Sequence, residues 1–152
     1  PKFRAGKELK SGDQQLLYLN SHGSPGEICI GGPDGESISY SDPDFMKILK
    51  DLKGREVRLG VLNEACYGGS AIDPLKDLGC VLSGAPATYV HWVSGDLLMS
   101  GLNKRTDLNG DHRYSLNDLY FDNLIQNSSS SQYYWNPVAG DILDKMNGWL
   151  MK

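Results

Sequence analysis

A histidine and a thiol at equivalent strand ends are the first chemistry this chain offers. His22 follows the apolar run at 16–19, in Leu-Leu-Tyr-Leu-Asn-Ser-His-Gly, and Cys66 follows 57–62, in Asn-Glu-Ala-Cys-Tyr-Gly-Gly-Ser. In open parallel α/β sheets the reactive groups gather outside the carboxyl ends of the strands, so two successive core strands aim this pair at one crevice. Their separation of 44 positions leaves room for one hairpin and one crossover helix. Thiol and imidazole together suit acyl transfer: the sulfur attacks a carbonyl and the imidazole moves the proton. A helix starting just after Cys66 would lower its thiol pKa through the positive end of the macrodipole. Gly68 and Gly69 allow a tight turn there, and Gly23 allows a substrate to approach the backbone closely. The N–H groups of Gly23 and Cys66 form a candidate oxyanion hole. An isolated cysteine is more often a small buried hydrophobe, and that is the expectation for Cys29 and Cys80; the paired strand ends set Cys66 apart.

The elements that must position the pair follow from periodicity. The run at 16–19 does not alternate, which reads as a strand covered on both faces, as in a parallel sheet. Residues 27–30 form a small accessory strand between Gly26 and Gly31. Asp42-Pro43 opens a helix with proline at its first position; Phe45, Ile48, Leu49 and Leu52 share one stripe, and Gly54 closes it. Strands at 57–62 and 80–82 bracket a helix at 72–78. The order strand, helix, strand, helix, strand predicts crossover connections and a parallel sheet. Further on, helices are expected at 97–102 and 119–125, a serine-rich mobile loop at 127–132, and a last helix capped by Asn136-Pro137 with Val138, Ile142, Leu143, Met146 and Leu150 on one face. The expected fold class is therefore α/β, a mainly parallel sheet flanked by helices, with a helical C-terminal extension. Residues 1–152 are expected to form a single, partial domain.

Composition bounds the function. The chain is 39% hydrophobic with 22% charged residues, enough apolar content to build a core and to argue against disorder. A net charge of −4 and a pI near 5.3 speak against a general nucleic-acid binder, and no apolar run reaches the length a membrane span needs. Three cysteines without a CxxC pair argue against a disulfide framework or a cysteine-rich zinc site. The chain starts at Pro1 with neither an initiator Met nor a signal-peptide pattern, which reads as a processed piece.

The strand ending in Ser21-His22-Gly23-Ser24, followed by the one ending in Glu64-Ala65-Cys66 with Gly69-Ser70 behind it, resembles the clan of legumains, caspases, gingipains and separases. It is most similar to the legumain-like branch and its bacterial relatives, over about residues 8 to 125. The resemblance implies a caspase-like cysteine endopeptidase acting on a peptide or protein substrate, with Cys66 as nucleophile and His22 as proton donor. It implies that Glu64 reaches the primary specificity pocket, favouring Asn or a basic residue and disfavouring Asp, and that Ser83, Gly84 and Ala85 line that pocket. A bracing role for Glu64 in the turn stays open. His91, near where caspases carry pocket residues, is expected at the surface. Members of the clan carry two strands before the histidine strand, so the resemblance also implies that these come from a companion chain of an autoproteolytically processed enzyme. Two other readings stand beside it: an inactive, calcium-stabilised binding module on the peptidase fold, and a peptide ligase or transamidase using the same acyl-enzyme. A small-ester or thioester hydrolase is a third.

One more constellation lies outside the dyad. Asp107, Asn109, Asp111, Ser115 and Asp118 occupy positions 1, 3, 5, 9 and 12 of an EF-hand or dockerin-like loop at 107–118, with the Arg113 carbonyl at position 7, a pattern for structural Ca2+. Position 6, normally glycine with φ above zero, is His112, and Asp replaces the bidentate Glu at position 12. A solvated helix-capping loop, or a site for another metal, is the alternative.

Overall fold

The computed structural model describes residues 8–31, 35–88, 103–108, 110, 112–128 and 138–139. Its main sheet contains β1 (Gln14–Leu19), β5 (Arg58–Asn63) and β6 (Cys80–Ser83), all parallel, and the short β7 (Val138–Ala139), antiparallel to β6; the order is β1-β5-β6-β7. A second sheet is an antiparallel meander of β2 (Gly23–Ser24), β3 (Glu27–Ile30) and β4 (Glu36–Ser39). This is the mixed α/β fold with a parallel sheet and flanking helices that the element order predicts.

Both faces of the main sheet are covered, which is why the 16–19 run lacks alternation. Leu17 and Leu19 of β1 join Leu59, Val61 and Val81 in one core with Phe45, Leu49, Leu52 and Leu75. Leu16 and Tyr18 point the other way, into a second core with Leu62, Cys80, Leu82, Leu116 and Leu119. The first core lies under α1 (Pro43–Gly54) and α2 (Ile72–Leu75), and the second under α3 (Leu116–Ser128). Ile28 and Tyr40 bring the small sheet into the first core.

The ends of α1 follow their sequence. Asp42 Oδ1 accepts from the amides of Asp44 and Phe45 at 2.9 and 3.0 Å, with Pro43 at the first position, so two of the orphan N–H groups of the first turn are satisfied. Gly54 remains helical, and the left-handed residue that ends the helix is Glu56, with φ 58°. The amide of Val57 reaches Leu52 O and that of Glu56 reaches Lys53 O, a Schellman closure in which buried Val57 packs near Leu52.

Elsewhere the elements depart from expectation. The helix expected at 72–78 is only Ile72–Leu75, preceded by a 3-10 turn at Gly68–Ala71. The helix at 119–125 extends to Leu116–Ser128, so Asn127 and Ser128 are helical, not loop. Val138 and Ala139, expected to start a helix, pair instead with Ser83 and Leu82. The helix at 97–102, the rest of the serine-rich loop and the helix beyond 139 lie outside the described residues. Among the described residues, no helix is long and apolar enough to cross a membrane.

Leu62 tests the two-faced sheet. It is fully buried on the α3 side between Tyr18 and Leu82, so Leu62→Ala should cost about 2–5 kcal/mol, read as a lower denaturant midpoint with the slope of the transition unchanged.

Candidate active site

The register of β1 on β5 sets the site. Leu19 lies opposite Asn63, and His22 and Cys66 each stand three residues beyond those paired ends. The amide of Glu64 donates to Leu19 O at 2.8 Å, carrying the pairing one step past the strand. From there the two chains turn toward each other. A Cβ built on Gly23 would lie 2.3 Å from the carbonyl oxygen of Cys66 and 3.1 Å from Ala65 Cβ, so the residue after the histidine rests directly on the backbone of the cysteine loop. His22 is exposed and Cys66 half-buried. The His22 carbonyl accepts from the amide of Cys29 at 2.9 Å, which fixes its backbone and leaves the imidazole outside the packed core.

Asn63 organises the cysteine loop, and sequence reading missed it. It is fully buried. Its Oδ1 accepts from the Ala65 amide at 3.0 Å, while its Nδ2 donates to Gly68 O at 3.1 Å and to the Tyr40 hydroxyl at 2.9 Å. The first of these is an Asx turn, so the available signal was an asparagine ending a buried strand immediately before Glu-Ala-Cys. Burial raises the Tyr40 phenol above its ordinary pKa, the Asn63 hydrogen bond opposing this and Cys29 adding to it; the hydroxyl that Asn63 meets therefore stays protonated through neutral pH.

Two local expectations about Cys66 need correction. The residue after it, Tyr67, is the one with left-handed backbone, φ 56° and ψ 19°, a conformation costly outside glycine and frequent where function over-determines the chain. Gly68 and Gly69 are required for close approach instead: a Cβ on Gly68 would meet Ser83 Oγ at 2.6 Å, and one on Gly69 would meet backbone of Ala85, Pro86 and Ala87 within 2.9 Å. The helix expected to polarise the thiol is a 3-10 turn followed by four α-helical residues, too short to carry the macrodipole argument.

Glu64 is 5% exposed and accepts a short hydrogen bond from the Tyr18 hydroxyl, which in turn accepts from Asn20 Nδ2 at 3.0 Å. Ser83, Gly84 and Ala85 are buried beneath the cysteine loop. Ser83 Oγ donates to Ala85 O at 2.8 Å and accepts from Ala85 N at 3.2 Å; the Ala85 carbonyl also takes the Gly69 amide at 2.8 Å, and the Gly84 amide reaches Asn63 O at 2.9 Å. In the described residues this segment supports the loop from below. Cys80 is buried as expected, whereas Cys29 is half-buried, with its sulfur 3.6 Å from Ser37 Oγ. His91 lies outside the described residues.

The sequence matches the model of the peptidase C13 family, the legumain family of the caspase-like clan, over residues 4–136. The chain belongs to the peptidase C13 family. The matched span contains both strand ends and the loops they carry, so the kind of function this family supports is that of a cysteine peptidase. No curated protein matches the chain.

The acidic loop stands apart from the C13 strand ends. The Asp107 carboxylate accepts from the amides of Gly110 and His112 at 2.7 and 2.8 Å, and His112 adopts φ 62°, the left-handed backbone that position 6 demands. Asp118 is 2% exposed; its Oδ2 accepts from Ser115 N and Oγ at 2.8 and 2.7 Å, and its Oδ1 from Leu108 N at 3.1 Å. With the Asp118 amide returning to Ser115 Oγ at 3.4 Å, Ser115 and Asp118 form a capping box at the start of α3. Arg113 is exposed, and Asn109 and Asp111 lie outside the described residues.

The site makes two structural predictions. Asn63→Ala strands three buried partners, Tyr40, Ala65 and Gly68, and should cost about 1–3 kcal/mol by chemical denaturation. Gly23→Ala should cost a similar amount, about 1–3 kcal/mol of overpacking, because backbone and not a flexible side chain stands in the way.

Proposed function

We propose that this chain is a cysteine endopeptidase in which Cys66 and His22 form the catalytic dyad. The observation that carries the reading is the seating of Gly23 on the Cys66 carbonyl, which brings the histidine and cysteine loops together at the carboxyl end of the sheet. Cys66 sulfur attacks the scissile carbonyl, forming the C–S bond; the C–N bond then breaks as His22 gives a proton to the leaving amine. His22 next takes a proton from water, whose oxygen displaces the sulfur and releases the acid product. The amides of Gly23 and Cys66 are the candidate donors to the oxyanion formed in each step.

Glu64 belongs to the specificity side of this proposal. A buried carboxylate held by Tyr18 presents an acceptor, which suits an asparagine amide or a basic side chain at the cleaved position and repels aspartate. A ligase or transamidase would share every step up to the acyl-enzyme and differ in whether an amine or water resolves it.

Two further proposals concern what joins the chain. Among the described residues β1 pairs only with β5, yet its apolar residues feed both cores, the pattern of an internal strand; a further strand along its outer edge, from a companion chain, would cover it. A calcium ion at 107–118 is supported by Asp107 and His112, whereas Asp118 is already used as a helix cap. Residues Asp107, Asn109, Asp111 and the Arg113 carbonyl would hold the ion, Ser115 being engaged with Asp118 in the cap, and it would supply no step of the chemistry. Calcium added to chelator-treated protein should raise Tm, and Asp107→Ala should remove the rise; a midpoint indifferent to calcium leaves the loop as a cap alone.

Fluorogenic peptides bearing Asn, Arg, Lys or Asp at the cleaved position test the main reading. Turnover should vanish in Cys66→Ala, fall about 10²- to 10⁴-fold in His22→Ala, and be lowest for Asp. Turnover that persists in Cys66→Ala would overturn the dyad, and its absence from the unsubstituted protein would favour a binding module.

A further inference from the structure

Polar links join the two loops in a closed ring whose members all lie outside the dyad. Asn63 Nδ2 donates to the Tyr40 hydroxyl, the Tyr40 amide donates to Gly26 O at 3.0 Å, and the Gly26 amide donates to Ser70 Oγ at 2.9 Å. Ser70 Oγ donates to Tyr67 O at 2.6 Å, and the next residue, Gly68, returns its carbonyl to Asn63 at 3.1 Å. The ring therefore passes through the turn between β2 and β3 on the histidine side and through both residues that follow Cys66.

We propose that Ser70 is a positioning residue that fixes the His22 hairpin against the Cys66 loop at reacting distance. The proposal rests on the peptidase reading above. Its hydroxyl is the point where the two sides meet: it accepts from the backbone of the hairpin and donates to the backbone of left-handed Tyr67, using one donor and one lone pair in fixed directions. The other crossing in the ring, from Asn63 to Tyr40, reaches the hairpin only indirectly, through the Tyr40 amide on Gly26 O. Asn63 ties the cysteine loop to Tyr40, the residue after β4, and Cys29 N to His22 O holds the hairpin to β3. Removing the Ser70 hydroxyl therefore leaves each loop with its own internal support and loosens their mutual placement. β2 is only two residues long and cannot hold that placement by strand pairing alone.

The effect belongs in kcat, because a small misplacement of reacting groups costs on the order of 10²-fold in rate while the substrate pocket is untouched. Peptide cleavage by the unsubstituted protein, Ser70→Ala and Ser70→Thr should be measured together with Tm and the exchange rate of the Gly26 amide by NMR. Ser70→Ala should lower kcat on the order of 10²-fold with KM and Tm nearly unchanged and Gly26 exchange accelerated; Ser70→Thr, which keeps the hydroxyl, should restore kcat and protection. A fall in kcat matched by a fall in Tm, or a Thr variant no better than Ala, would mean a merely structural residue. Undiminished kcat in Ser70→Ala, or unchanged Gly26 exchange, overturns the clamp while Cys66-dependent turnover still stands. Absence of any Cys66-dependent turnover in the unsubstituted protein overturns the peptidase reading itself, and the clamp's catalytic role with it.

Discussion

Parallel pairing of β1 with β5 in one register is the constraint on which the site depends. Side chains alternate along a strand, so a slip of one residue would turn Leu17 and Leu19 away from the α1 core and Leu16 and Tyr18 into it. Two cores of different composition thus lock the register that places Leu19 opposite Asn63. Everything beyond the strand ends inherits that alignment. The equal offset of His22 and Cys66 from the paired residues is then a consequence of packing several residues below either of them.

Above the strand ends, hydrophobic packing gives way to buried polar groups, and these carry more risk. A side chain such as Asn63 specifies geometry because every atom of it must be satisfied in one arrangement, whereas Leu62 beside it tolerates small shifts. The cysteine loop needs that stricter control: Tyr67 sits in a left-handed conformation with no glycine to relax it, and its strain is held by Ser70 N and Oγ on its carbonyl and by Asn63 on the next one. The glycines 68 and 69 leave room for this compact loop to sit down on β6.

Much of the scaffold was legible in the sequence because it rests on local signals. Asp42-Pro43, the stripe of Phe45, Leu49 and Leu52, and the apolar runs of β1 and β5 each declare themselves within a few residues. What was not legible depends on distant partners. α2 ends early because the amides of Leu78 and Gly79 both turn back to Leu75 O, with Gly79 seated against the backbone of Leu59, twenty residues away in sequence. Val138 and Ala139 read as helix by periodicity and pair as strand because β6 offers an open edge. Glu56 takes the left-handed place that Gly54 was expected to mark, since the carbonyls of Leu52 and Lys53 are capped two residues further on. At the site, the strand ends carrying His22 and Cys66 could be read from sequence, but the Asn63 and Ser70 links could not, because their partners Tyr40 and Gly26 lie on the small sheet.

That small sheet is itself best understood through the site. β2, with two residues, gains little from its own ladder, and β4 is an edge strand with its first two residues exposed. The meander's firm anchors in the first core are Ile28, on the central strand, and Tyr40, just beyond β4. Tyr40 adds a phenol that Asn63 reaches from β5 and an amide that holds Gly26, so one buried side chain ties the hairpin to the main sheet by apolar contact and polar link together. A hairpin held in this way can present His22 with a fixed backbone and an exposed ring. The main sheet supplies the direction, and the meander supplies the distance.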